Sequence, residues 1–209
     1  MLTRKGVLAL ITSGSALVSA PVLAADQGFY LGAGAGGSFV SIDDNAIQIT
    51  GAATTSTSKS ENDFAYKFFA GYQFNRNFAI EGGYINFGKF SITKNTNAGS
   101  VTGDIKVDGW VLDAVGILPL TNQFALFGKV GAIAATTKTS ATASGNLLIV
   151  GNSNEKDNSV NFTAGFGAQF DLTPNLGLRA EYEFYSQVGG DNTSKGDINY
   201  LGASLLYKF

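Results

Sequence analysis

Alternation of apolar with polar or small residues recurs along this chain, and it restricts the fold more than any other feature. In the segment DFAYKFFAGYQF (63–74), one face carries Phe and Tyr almost throughout, while Lys67 lies on the other. Because successive side chains of a β-strand point to opposite faces, this period of two predicts a strand. The same period predicts strands at 28–40, 63–74, 77–87, 106–118, 123–134, 159–170, 176–185 and 198–209.

The connections between these strands alternate in length. Short turns are expected at 75–77, 120–122 and 171–175, and long polar loops at 41–62, 88–105, 135–158 and 186–197. Short turns therefore lie at one end of the sheet and long loops at the other. This pattern predicts an all-β fold, an eight-stranded antiparallel transmembrane β-barrel (up-and-down) with long extracellular loops and short periplasmic turns. Closure is required because hydrocarbon offers no hydrogen-bond partner to an open sheet edge.

The N-terminal segment predicts export. Arg4 and Lys5 precede an apolar stretch that ends in small residues at Ala24 and Ala25, which is the order of a secretory signal peptide. Ser and Pro residues interrupt the stretch, which argues against a transmembrane anchor. We predict a signal peptide at 1–24 and an outer-membrane β-barrel domain at 25–209, in the Gram-negative cell outer membrane.

Charged residues of the predicted strands share one face, opposite the aromatic and aliphatic rows. Four are basic and four acidic: Lys67, Glu81, Asp113, Lys129, Arg179, Glu181, Glu183 and Lys208. A Lys or Arg facing lipid near the midplane would cost about 2–4 kcal/mol, so this face is expected to line the lumen.

The lumen of an eight-stranded barrel is just wide enough for its own side chains. We therefore expect the eight charges to form a luminal ion-pair network that plugs the barrel, with Arg179 linking neighbouring carboxylates such as Glu81. The alternative is a small porin-like channel for ions or small solutes, which more often has more strands and an excess of one charge sign.

Composition excludes several functional classes. The chain has no His and no Cys, which removes histidine-based catalysis and the commonest metal ligands. Without Arg4 and Lys5 it carries 12 basic and 16 acidic residues, a balance that argues against a nucleic-acid partner. We predict no enzymatic activity, no catalytic residue and no metal site.

Glycines at Gly32, Gly34 and Gly37 match the G-x-G-x-x-G pattern of dinucleotide-binding proteins. That site needs a helix directly after the glycines to face the pyrophosphate, whereas SFVSIDDNAIQIT (38–50) continues extended. We therefore predict no bound cofactor, and expect inward glycines to make room for bulky residues such as Phe69, Phe87 and Phe127.

Three predicted hairpins resemble the OmpA-type transmembrane domain of the outer membrane protein β-barrel family. They are GYQFNRNFAIEGGYINFG (71–88), GILPLTNQFALFGKVGAI (116–133) and AQFDLTPNLGLRAEYEFY (168–185). The resemblance implies a luminal ion-pair network that includes Glu81, Lys129, Arg179 and Glu181. It also likens the chain to barrel-only members, the small opacity and adhesin-type barrels.

The chain departs from the family pattern at three inward positions. The family has Lys in the first and fourth strands and Glu in the sixth, where this chain has Gly34, Val115 and Gln169. The network must therefore be rewired, and Lys67 and Asp113 are the candidate substitutes.

The C-terminal segment NYLGASLLYKF is an alternating strand that ends on Phe209. It is expected to pair with the first strand and close the barrel. By resemblance, Tyr207 and Phe209 form the C-terminal signal read by the outer-membrane assembly machinery.

The expected function is a structural or surface-exposed role in the envelope, with adhesion or ligand binding through the extracellular loops. The expected partners are outer-membrane lipid and lipopolysaccharide, the assembly machinery, and a host or surface ligand at the loops. In the third loop, NLLIV (146–150) is an apolar patch, read either as a hairpin extension or as a contact surface.

Overall fold

The computed structural model describes residues 27–40, 54–145, 154–189 and 195–209. The predicted signal peptide and NLLIV (146–150) lie outside these residues. The described residues form nine antiparallel β-strands: β1 (Gly28–Val40), β2 (Thr54–Ser60), β3 (Asn62–Asn75), β4 (Phe78–Thr96), β5 (Gly99–Pro119), β6 (Phe124–Gly145), β7 (Asn154–Asp171), β8 (Leu176–Val188) and β9 (Gly196–Lys208). The described part of the chain contains no helix of the length and apolarity that a membrane crossing requires.

Eight of the strands close into a barrel in the order β1, β3, β4, β5, β6, β7, β8, β9 and back to β1. The closing pair joins β1 to β9, where Leu31 lies opposite Tyr207 and Ala33 opposite Leu205. Every barrel strand has a partner on both sides, so the membrane-spanning part has no open edge. The predicted eight-stranded antiparallel barrel is confirmed.

The outer face of the barrel is apolar. Large side chains that lie exposed on it include Phe29, Phe68, Trp110, Leu112, Val130, Phe166 and Leu205. The sequence places all of them on the face expected to contact lipid, because the period of two holds along the membrane part of their strands. The glycine motif continues as strand: β1 runs without interruption from Gly28 to Val40.

Two of the predicted loops are mostly strand. The expected loop at 88–105 consists of the outer ends of β4 and β5, joined by a two-residue turn at 97–98. Likewise, β6 extends to Gly145 and β7 begins at Asn154. The ninth strand, β2, falls in the expected loop at 41–62 and pairs with the outer end of β4.

These loop predictions were wrong because the outward row of apolar residues that marks a membrane strand ends in these segments. Outside the lipid, the outward face is Ser, Thr, Asn, Asp and Lys rather than Phe and Leu, and in β4 and β5 the apolar residues, such as Phe90, change to the inward face. Thr, Val and Ile nevertheless favour extended backbone. Ile92 and Val107 are buried on the inward face and continue the core above the membrane.

The lumen is filled in three layers. An upper apolar layer on the extracellular side includes Ile85, Val107 and Ile133, and the rings of Phe87 and Tyr185 lie 4.8 Å apart in it. A lower apolar layer on the periplasmic side contains Tyr30, Phe69, Ala79, Val115, Phe127 and Leu206. The buried charged side chains lie between the two layers.

Individual strands show this layering directly. Along β6, Phe127 belongs to the lower layer, Lys129 to the charged layer and Ile133 to the upper layer. Glycines leave room for the rings: a Cβ at Gly32 would lie 2.2 Å from Phe69 Cζ, and one at Gly167 would lie 2.6 Å from Phe127 Cζ. The lower layer is therefore packed against the wall of the barrel.

Candidate functional site

Six buried charged residues form one group in the middle of the lumen, which we call the luminal charge cluster. Strands β3, β4, β6 and β8 supply three cations and three carboxylates: Lys67, Glu81, Lys129, Arg179, Glu181 and Glu183. Their inward direction follows from strand parity, and their convergence follows from the narrow barrel. The cluster is electrically balanced.

Arg179 connects two strands to its own. Its Nη1 donates a hydrogen bond to Glu81 Oε1 at 2.5 Å, and its Nη2 donates to Gln169 Oε1 at 3.2 Å. The guanidinium also lies over the ring of Phe127, 4.5 Å from its centroid. Tyr30 adds a second donor to the same carboxylate, with its hydroxyl 2.7 Å from Glu81 Oε1.

The two lysines join the remaining carboxylates. Lys67 Nζ lies 2.7 Å from Glu183 Oε1 and 3.0 Å from Glu181 Oε1. Lys129 Nζ lies 2.8 Å from Glu181 Oε2 and also contacts Glu183. Each lysine therefore bridges the same two carboxylates from a different strand.

Neutral side chains complete the hydrogen bonding of these carboxylates. The Tyr185 hydroxyl donates to Glu183 Oε2 at 2.7 Å, and the Ser204 hydroxyl donates to Glu181 Oε1 at 3.0 Å. Sequence reasoning missed Tyr30, Tyr185 and Ser204 as partners. Their inward parity beside the charged positions was the signal that could have identified them.

Two residues predicted for the network have hydrogen-bond partners outside the cluster. Asp113 is buried near the cluster, but its hydrogen-bond partner is the Thr163 hydroxyl at 2.6 Å rather than a cation. Lys208 lies half-buried at the periplasmic rim, where its Nζ is 2.6 Å from Asp171 Oδ2. Lys208 is separated from the cluster because Leu206 of the lower apolar layer lies between them along β9.

The structure shows which side chains stand in for the charges that the family pattern has and this chain lacks. Lys67 contacts both carboxylates of β8, which is the place expected of a substitute cation. Gln169 accepts a hydrogen bond from Arg179 where the family has a carboxylate. Asp113 does not take the place of that carboxylate.

Little free space remains beside the cluster. A void of about 20 Å³ is lined by residues that include Lys67, Glu81, Asp113 and Lys129, which is room for about one water molecule. In residues 27–40, 54–145, 154–189 and 195–209, no group of three or more His, Cys, Asp or Glu side chains is placed to hold a metal ion. Chemically, the arrangement is suited to joining strands across the lumen.

Comparison with known proteins identifies the family. A profile of the OmpA-like transmembrane domain matches residues 24–209. The chain belongs to the OmpA-like transmembrane domain family. Outer membrane protein A of Shigella flexneri is 26% identical to this OmpA-like chain over 151 residues, 71% of this chain and 41% of that protein. Outer membrane protein P5 of Haemophilus influenzae is 28% identical over 227 residues, 99% of this chain and 61% of that protein.

This OmpA-like chain thus spans roughly two fifths to three fifths of the length of these two relatives. Solved structures share its fold. Neisserial surface protein A has a TM-score of 0.57 and 15% identity, covering 87% of this chain and 97% of that one. Ail of Yersinia pestis, solved in complex with the heparin analogue sucrose octasulfate, has a TM-score of 0.50 and 19% identity, covering 87% and 99%. The protein is an outer-membrane β-barrel of a Gram-negative cell, as the sequence predicted.

Proposed function

We propose that this OmpA-like barrel is a closed, non-enzymatic surface protein that carries an extracellular binding platform. The observation that supports this most is the continuation of four barrel strands, β4 to β7, beyond the membrane, where β2 pairs with β4. They form the extracellular sheet, which we define by its segments: 54–60, 89–96, 99–106, 135–145 and 154–159. A rigid base of this kind holds its connecting segments in fixed positions, and such segments commonly carry binding function.

The proposed partners are of three kinds. The extracellular sheet and its connections would contact a host or surface ligand, as Ail contacts a heparin analogue in its solved complex. Lipopolysaccharide would surround the outer half of the barrel. The outer-membrane assembly machinery would recognise Tyr207 and Phe209.

Replacing residues 146–153 with a two-residue turn is expected to lower adhesion of bacteria to host cells or matrix severalfold. The replaced segment contains NLLIV and connects the outer ends of β6 and β7, which stay intact. Adhesion is measured with bacteria that display equal amounts of the two proteins. In the matched control, the periplasmic residues 121–123 are replaced with the same two-residue turn. Unchanged adhesion would show that this connection is not the contact surface.

The rival function is a small porin-like channel. In planar bilayers, the purified barrel is expected to give little or no single-channel conductance, because two apolar layers and an ion-paired layer fill its lumen. A large general porin prepared in the same detergent is the positive control. Reproducible conductance steps from the folded monomer would support the channel and contradict the closed barrel.

A further inference from the structure

Four lysines lie side by side on the outward face of the extracellular sheet. Lys89 of β4 pairs with Lys106 of β5, Lys106 pairs with Lys138 of β6, and Lys138 pairs with Lys156 of β7. All four side chains are exposed. We call these four residues the lysine row; it crosses four neighbouring strands, which lie about 4.8 Å apart.

The lysine row is unfavourable for the folded protein on its own. Like charges directly opposite each other on neighbouring strands destabilise a sheet. Two carboxylates on the same face offset part of the charge: Lys89 Nζ lies 3.4 Å from Asp104 Oδ2, and Lys138 Nζ lies 3.9 Å from Asp108 Oδ1. A hydrogen bond from the Ser91 hydroxyl holds the pKa of Asp104 below its ordinary value.

Four lysines against two aspartates leave this face positive in a chain whose formal net charge is −2. An anion from outside the protein would neutralise this concentration of positive charge and so stabilise the folded sheet. A phosphate-bearing surface meets this requirement, because ammonium groups bind phosphate through charge-assisted hydrogen bonds.

The height of the row relative to the membrane identifies the source of the anion. Trp110 is 68% exposed on the outward face and packs against its cross-strand partner Tyr84 at 5.4 Å between ring centroids. Trp and Tyr side chains on the outward face of a barrel mark the membrane interface. Lys106 lies four residues further along β5, about 13 Å along a strand that is tilted by about 40°, and therefore about 10 Å above the aromatic pair.

At this height, lysine side chains reach the lipid headgroups, since their flexible stems can bend back towards the membrane. An apolar groove of about 860 Å³ begins below the same aromatic pair on the lipid face. Small residues form its floor at Ala33, Ala70 and Gly82, and Phe68 and Trp110 are among its larger lining side chains. The groove runs from β4 and Trp110 of β5 across β3 and β1 to β9, so it shares β4 and β5 with the lysine row and offers space for an acyl chain beside it.

We propose that the lysine row binds the phosphate groups of lipopolysaccharide in the outer leaflet, with an acyl chain of the same lipid in the groove that begins at Tyr84 and Trp110. This inference rests on the proposed contact with lipopolysaccharide and names the residues that make it. It assigns a lipid-binding face to β4–β7, whereas binding of a host ligand is assigned to the connecting segments.

The test compares two charge-matched triple variants in nanodiscs of a neutral lipid. The row variant removes three lysines of the row: Lys106→Gln, Lys138→Gln and Lys156→Gln. The control variant removes three lysines outside it: Lys59→Gln, Lys94→Gln and Lys195→Gln. The affinity for fluorescently labelled lipopolysaccharide is expected to fall about a hundredfold in the row variant and to change little in the control.

Further arms identify the ligand. A variant with Arg at the same three row positions keeps the charge and is expected to bind like the wild-type protein, which separates charge from folding. Dephosphorylated lipopolysaccharide should bind as weakly as the row variant binds the intact lipid, and millimolar inorganic phosphate should compete poorly because it lacks the acyl chains.

The outcomes separate this assignment from the wider proposal. If the wild-type barrel does not bind lipopolysaccharide, the proposed lipid partner is wrong. If it binds and both triple variants bind equally well, the assignment to the lysine row is wrong. If the row binds a soluble sulfated polysaccharide and not the lipid, it serves a host glycan and the inference is overturned.

Discussion

Replacing Arg179 with alanine is expected to abolish the heat-modifiable, detergent-resistant folded form of the barrel. The change removes the guanidinium that lies 2.5 Å from Glu81 Oε1 and leaves that buried carboxylate with Tyr30 and with Lys129 Nζ at 3.9 Å. Breaking a buried ion pair by removing one partner costs about 3–5 kcal/mol, because the other charge stays buried and poorly compensated. Since typical stabilities are about 5–15 kcal/mol, this is a large fraction of the total.

The measurements are the gel shift on heating and the urea midpoint in detergent micelles. Arg76→Ala is the matched control, because Arg76 is exposed in the turn between β3 and β4 and surface charges contribute about 0–1 kcal/mol. Arg179→Lys should be intermediate, since lysine keeps the charge and loses the planar two-point contact to Glu81 and Gln169.

A second substitution tests whether the loss arises from the unpaired carboxylate. In the double variant Arg179→Ala, Glu81→Gln, the loss of unfolding free energy should be smaller than the sum of the losses in the two single variants. The difference is expected to be about 0.5–3 kcal/mol. Wild-type heat-modifiability in Arg179→Ala would show that Arg179 does not link the strands. Additive costs in the double variant would show that its effect is independent of Glu81.

Deleting Phe209 is expected to reduce the amount of barrel assembled in the outer membrane to a small fraction of the wild-type level, with little loss of stability once folded. In the folded barrel, Phe209 donates one backbone hydrogen bond to the Phe29 carbonyl at 3.0 Å, and its ring is 68% exposed. One such hydrogen bond is worth about 1 kcal/mol. The preceding residue remains held, because Lys208 N donates to the Asn175 carbonyl at 2.8 Å.

Assembly is measured as the heat-modifiable fraction in isolated outer membranes, and stability as the urea midpoint of protein refolded in detergent. Phe170→Ala is the matched control, since it removes another exposed ring from the lipid face without changing the terminus. Phe209→Tyr should assemble like the wild-type protein because it keeps a terminal aromatic ring. Normal assembly without Phe209 would contradict its role as a signal, and an equal loss of refolded stability would make the role structural.

The direction of each side chain in the membrane strands could be predicted from the sequence, because it is a local property. A strand alternates its faces with a period of two, so the parity of Lys67 against Phe64 and Phe68 predicts which side is exposed to lipid. The even strand number and the alternation of short and long connections then predict closure. These inferences need no knowledge of which residues meet across the lumen.

The specific partners of each charge required the tertiary structure. Arg179 and Glu81 are 98 positions apart, and their contact depends on how far each strand is displaced along its neighbour when the sheet closes. Parity alone placed Lys208 with the network, but its depth in the barrel sets it at the periplasmic rim, beside Asp171. The same limit applies to Asp113, which shares the inward parity and binds Thr163 instead.

The extracellular sheet separates what could be predicted from the sequence from what required the tertiary structure. The eight membrane strands could be predicted from the sequence, because lipid on one side and a packed lumen on the other require a strong apolar alternation. Beyond the membrane, water contacts the outward face, the outward row of apolar residues ends, and the sequence pattern predicts loops where the backbone is extended. Only the register of the folded sheet decided that Lys89, Lys106, Lys138 and Lys156 lie in one row, because residues separated by a hairpin become neighbours through strand pairing alone.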